Sequence, residues 1–98
     1  MVPQDLLDQI QNLFPNTNVN KDKITEVEIP QEEVRAMLVD DGVLILKNNN
    51  LDGIVILWNG DRVEIRVGGD KGITVYDLQM VVYFLKSGDH YMLVLGEC

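Results

Sequence analysis

The stretch "VGGDKGIT", residues 67–74, is where this chain comes nearest to an anion-binding motif. Gly68 and Gly69 can expose backbone N–H groups, Lys71 adds a positive charge, and a helix starting just beyond would point its positive end at the same place. The spacing argues against it. Neither G-x-x-x-x-G-K-[ST] nor G-x-G-x-x-G is present, and Asp70 repels the anion that Lys71 attracts. A glycine-permitted turn is therefore the first reading, with Gly68, Gly69 and Lys71 as phosphate-binding candidates behind it. "NNNLDG" offers a second chemistry, because Asn48, Asn50, Asp52 and Gly53 occupy relative positions 1, 3, 5 and 6 of a calcium loop. Position 12 is Asn59, where that loop requires a bidentate Glu, so a solvated turn is favoured over a metal site.

His90 is the single histidine and the candidate general acid or base. Ser87 and Asp89 beside it make no triad by adjacency alone, because catalytic partners must converge in space on an oriented nucleophile. Cys98 is the only cysteine, which excludes an internal disulfide and the usual cysteine-based zinc sites. No cofactor is implied.

The acids carry more information together than singly. The chain has a net charge of −8, and residues 1–33 alone hold −5 of it. Such a balance opposes direct nucleic-acid binding and suits a basic protein partner. Glu26 and Glu28 share a strand face, Glu32 and Glu33 follow at the next element's start, and Asp40 and Asp41 close that element. These six form the candidate partner-binding surface, although acids at helix starts are also ordinary dipole complements.

The elements that must position these groups read as follows. "VPQDLLDQIQNLF" places Leu6, Leu7, Ile10, Leu13 and Phe14 at helical spacing. "ITEVEI" (24–29) alternates as a strand. "PQEEVRAML" carries helix-start signals and is read as a helix stopping at Gly42, against a rival hairpin "VRAMLV-DDG-VLILK" turning at Asp40–Gly42. "VLILK" (43–47) and "GIVILW" (53–58) are strands. Asn59 and Gly60 form a two-residue turn that places Trp58 opposite Asp61, with Ile54, Ile56 and Trp58 sharing a face with Val63, Ile65 and Val67. "TVYDLQMVVYFLKSG" shows Thr74 and Asp77 in a capping pattern and reads as a helix, and "HYMLVL" (90–95) is the closing strand.

The expected fold is a single α+β domain over residues 1–98, in the order α-β-α-β-β-β-α-β. It has a mixed, mainly antiparallel sheet of about five strands with helices packed on one face. The apolar excess around the second half predicts a homodimer through Met80, Tyr83, Phe84, Tyr91 and Leu93. No apolar run approaches the length of a membrane span, and the opening residues lack a basic leader, which gives the expectation of a soluble cytoplasmic protein. The functional expectation is a small acidic interaction module: an inhibitor, immunity factor or regulatory subunit that binds a basic surface. Its rival is a small ligand-binding or hydrolytic enzyme acting on a nucleotide or phosphate compound.

Overall fold

Period-two alternation, rather than the helical period, governs most of this chain. The computed structural model describes residues 2–22 and 24–97, so Cys98 lies outside the described residues. One helix, α1 (Gln4–Leu13), precedes β1 (Asn18–Lys21), β2 (Thr25–Pro30), β3 (Arg35–Asp40), β4 (Val43–Lys47), β5 (Gly53–Asn59), β6 (Arg62–Gly69), β7 (Gly72–Ser87) and β8 (His90–Glu97). A 3-10 turn, Gln31–Glu33, joins β2 to β3. The strands form one sheet in the order β1-β2-β8-β7-β6-β5-β4-β3, antiparallel at every pairing.

This corrects the α+β expectation. The sheet has eight strands instead of about five, it is wholly antiparallel instead of mixed, and a single α-helix replaces several. The segment after Pro30 makes only a 3-10 turn and then the hairpin that was the rival reading, with Gly42 at φ +85° supplying the turn. Residues 74–88, expected as a helix, lie mostly in the sixteen-residue strand β7. The helical spacing of Val75, Leu78, Val81, Val82 and Leu85 there is coincidental with a better alternation. Tyr76, Leu78, Met80, Val82 and Phe84 face inward, and a run rich in valine, tyrosine and phenylalanine suits a pleated surface.

The β5–β6 hairpin keeps its expected faces but not its register. Trp58 stands opposite Val63 and Asn59 opposite Arg62, so the loop is Gly60–Asp61. Gly60, at φ +64°, takes the left-handed position that leads the turn. A shift of two residues leaves every side chain on its original face, keeps apolar residues opposite apolar ones, and gives Trp58 Val63 as its partner in place of Asp61.

The sheet cannot be flat. β2 and β3 are six strand steps apart in the sheet order, a flat separation of about 29 Å at ~4.8 Å per step. The chain from Pro30 to Arg35 reaches at most about 18 Å. The sheet must therefore curl until these strands approach one another, and the measured extents of 32 × 27 × 26 Å agree. β7 carries the bend: its first half, to Gln79, pairs with β6, and its second half, from Met80, pairs with β8.

α1 packs inside the curl. Leu6, Leu7, Ile10 and Phe14, each at most 1% exposed, meet Val27, Ile29, Leu46, Ile54, Ile56, Ile65 and Leu93 in one apolar cluster. Tyr76 fastens the first turns of the helix through two hydrogen bonds. The Tyr76 hydroxyl donates to Asp5 Oδ2 at 2.7 Å and accepts from Gln9 Nε2 at 2.8 Å. Burial raises the Tyr76 pKa above its ordinary 10.0, and the bond to Asp5 and its charge act in the same direction.

Truncating Ile10 to Ala should cost about 2–5 kcal/mol, a large share of the ~5–15 kcal/mol typical of a domain, read as a lower denaturant midpoint at unchanged slope. The phenol gives a second expectation. Its folded-state pKa is raised, so its contribution is intact below pH 10.0 and is lost as pH climbs through the folded value. Tyr76→Phe should lose about 1 kcal/mol at neutral pH through the missing hydrogen bond. Its stability should then fall less steeply than that of the unaltered protein above pH 10.0, a difference measurable by urea titrations across that range.

Candidate functional site

Two depressions gather several of the residues whose chemistry the sequence singles out. The larger, an open cleft of about 650 Å³, lies between α1, the β4–β5 loop and the β6–β7 turn, lined by Gln9, Asn12, Asn50, Asp52, Gly68, Gly69, Asp70 and Lys71 among others. The glycine loop and the asparagine loop, read separately from the sequence, are thus neighbours.

Their side chains are occupied with holding the backbone. Asn48 Oδ1 accepts the N–H groups of Asn50 at 2.9 Å and Asp52 at 3.1 Å, while its Nδ2 donates to the Leu13 carbonyl at 3.2 Å. Asn48 therefore ties the loop to the end of α1, leaving its oxygen committed to backbone donors. Among the described residues no group of three or more His, Cys, Asp or Glu is placed to hold a metal ion.

The glycines answer to close approach. A Cβ on Gly69 would fall 1.7 Å from Asp52 Oδ1, and one on Gly68 would fall 2.1 Å from the Gly72 carbonyl oxygen. Gly69 pairs with Gly72, so Asp70 and Lys71 form the tip of a tight hairpin. The helix whose positive end would have faced an anion is replaced by β7, and both Asp52 and Asp70 line the cleft beside Lys71. Its polar lining is an electrostatic mixture rather than an anion cradle.

The smaller recess, about 250 Å³, is lined by Asn16, Asn18, Glu28, Pro30, Glu32, Asp89 and His90. It exists because β2 pairs with β8, which sets Pro30 opposite His90 and Glu28 opposite Met92. His90 Nδ1 is 3.3 Å from Asp89 Oδ1, and Nε2 is 3.8 Å from Glu28 Oε2. Ser87 stands opposite His90 in the β7–β8 hairpin, yet among the described residues no hydrogen bond joins its hydroxyl to the ring. The lining supplies neither hydroxyl nor thiol, so the polar side chains around the imidazole are carboxylates and amides.

The six acids expected to act as one surface are divided. Glu28 and Glu32 reach the recess, and Glu26 lies one row away on the same outer face of β2. Glu33 is half-buried, with Oε1 accepting the Asn16 N–H at 3.2 Å. Asp40 and Asp41 sit at the far end of β3, roughly 17 Å along the strand from its start. Asp89, read from the sequence only as His90's neighbour, joins these acids because the pairing of β2 with the last strand brings it beside Glu28.

The residues expected at a dimer interface also separate. Met80 and Leu93 are core, 3% and 1% exposed, and Phe84 is half-buried with its ring stacked on Tyr91 at 5.1 Å. Tyr83 projects outward with Val81 and Leu85. No protein-family model, curated protein or solved structure matches the chain. Among the described residues no helix is long and apolar enough to cross a membrane.

The two glycine positions can be ranked by experiment. Gly68→Ala combines a φ of +147° with a backbone collision and should cost about 2 kcal/mol or more. Gly60→Ala meets only open space at φ +64° and should cost about 1 kcal/mol. Denaturant midpoints of the two variants check the order; equal losses would show that the close approach at Gly68 relaxes freely.

Proposed function

We propose that the protein is a binding module that takes a basic, partly apolar segment of a partner protein on the outer face of β1, β2, β8 and the second half of β7. Supporting this is one observation: the recess acid Glu28 and its neighbour Glu26 stand in the same strand rows as an exposed apolar stripe. Across the sheet, Asn18, Glu28, Met92 and Leu85 stand in line, and so do Asn20, Glu26, Val94 and Tyr83. A segment laid across these strands would place apolar side chains over Tyr83 and Leu85 and a cation at Glu28, Glu32 and Asp89.

The chemistry suits that division of labour. Exposed charges speed encounter and reject acidic partners, while desolvated aromatic contacts supply affinity. The −8 net charge extends the attraction beyond the recess. An inhibitor, immunity factor or regulatory subunit of a cytoplasmic basic protein is the role that such a surface fits.

The test uses labelled peptides of about fifteen residues that combine lysine or arginine with leucine, followed by fluorescence anisotropy at low and moderate salt. Reversing Glu28, Glu32 and Asp89 to Lys should remove the salt-dependent binding, and Tyr83→Glu should weaken it at either salt. Asp40→Lys with Asp41→Lys should leave it nearly unchanged. Equal loss from both sets of reversals would assign the attraction to net charge and remove the recess from consideration.

A further inference from the structure

The sheet has two free edges of opposite character. β1 is short and polar, with Asn18, Asn20 and Lys21 exposed, features that discourage strand addition. β3, at the other end, pairs only with β4, and among the described residues no other backbone group bonds to its outer edge. Met37, Leu38 and Val39 there are 61%, 69% and 55% exposed, with no charge between Arg35 and Asp40. An edge whose middle is apolar and uncharged is a template for another strand.

We propose that β3 is a homodimerisation strand, two copies pairing these edges antiparallel about a two-fold axis at Met37 so that one sheet runs through both chains. The segment "RAMLVD" is built for its own copy. A two-fold axis perpendicular to the sheet keeps like faces together, so Met37 meets Met37 of the second copy and Ala36 meets Leu38. The ladder with β4 then fixes the ends: Leu38 pairs with Leu44 but Asp40 with Val43, so Val39 and Asp40 share one step. That irregularity puts Asp40 two steps beyond Met37 on the face that also carries Arg35, two steps before it. Each Arg35 therefore faces Asp40 of the second copy, twice per dimer.

A second feature of the charges fits the same partner. Arg62 and Arg66 hold Asp77 and Glu64 at 3.0 and 3.2 Å, whereas Arg35 and Lys47 face each other across β3 and β4 with no ion pair among the described residues. Two like charges directly opposite are unfavourable in a sheet, and a carboxylate from a second copy offsets them. The β3 segment is neutral in a protein of net charge −8, so this edge is a place where two copies approach with balanced charge. The surface lies apart from the recess, and the two assignments stand or fall separately.

Sedimentation of the full chain in reducing buffer, which keeps Cys98 from cross-linking copies, should give a dimer at tens of micromolar. Arg35→Asp or Asp40→Arg alone sets like charges across the axis at both sites and should weaken the dimer roughly tenfold or more. The double variant restores opposite charges and should regain it. Mixing the two single variants should form the heterodimer in preference to either homodimer, because both contacts are then complementary. Circular dichroism like that of the unaltered protein keeps misfolding from imitating these losses. A monomer overturns the proposal and leaves the edge to a strand from another protein; a dimer indifferent to the single reversals overturns it in favour of another face.

Discussion

The short link between Pro30 and Arg35 is the constraint on which this architecture depends. Residues 31–34 join strands that stand at positions two and eight of the sheet. No flat arrangement satisfies that link, so the sheet must wrap, and a wrapped sheet has an inside that must be filled. α1 fills it with the stripe Leu6, Leu7, Ile10 and Phe14. A single helix suffices because the curl brings the sheet's own inward residues close to one another, leaving little apolar surface for a second helix to cover.

The wrapped sheet sorts side chains across its bend. β7 runs through two ladders and alternates from Val75 to Leu85 across the change of partner, so Tyr76, Met80 and Val82 are buried while Val75, Val81, Tyr83 and Leu85 are exposed. Chemistry is thereby pushed to the outer face and the turns. The asparagine loop and the glycine turn meet in one cleft because adjacent hairpins end on the same side. The recess instead arises from a non-local event, the pairing of β2 with β8, which sets the β7–β8 turn against the end of β2.

How much of this was legible in the sequence follows from how local each cause is. α1, β4 and the faces of β5 and β6 were readable because their periods are written in consecutive residues. Residues 35–40 and 74–87 were not. Their apolar residues satisfy both periods, and capping signals at Pro30 and Thr74 tipped the reading to helix, whereas β-branched and aromatic side chains with partners on neighbouring strands decide for sheet. In the recess, Glu28, Glu32 and His90 could be named singly, but not as neighbours, and Asp89 was visible beside His90 but not as a neighbour of Glu28. Tyr76 escaped for the same reason: its partners, Asp5 and Gln9, lie about seventy residues away on α1.

An open curl also leaves a problem that a closed barrel would not have, since both end strands keep unpaired backbone groups. The chain treats the two ends differently. At β1, Lys21 Nζ donates to Gln4 Oε1 of α1, and asparagines occupy the exposed positions. At β3 the protection is confined to the ends of the strand, where Arg35 and Asp40 flank three exposed apolar residues and the bulge disrupts the ladder. Flanking charges of opposite sign do not exclude strand addition; for a strand with the same order of charges they select direction and register, because only antiparallel pairing then sets acid against base at both ends. An edge of this kind narrows the choice of partner strand, and the chain itself carries one that qualifies.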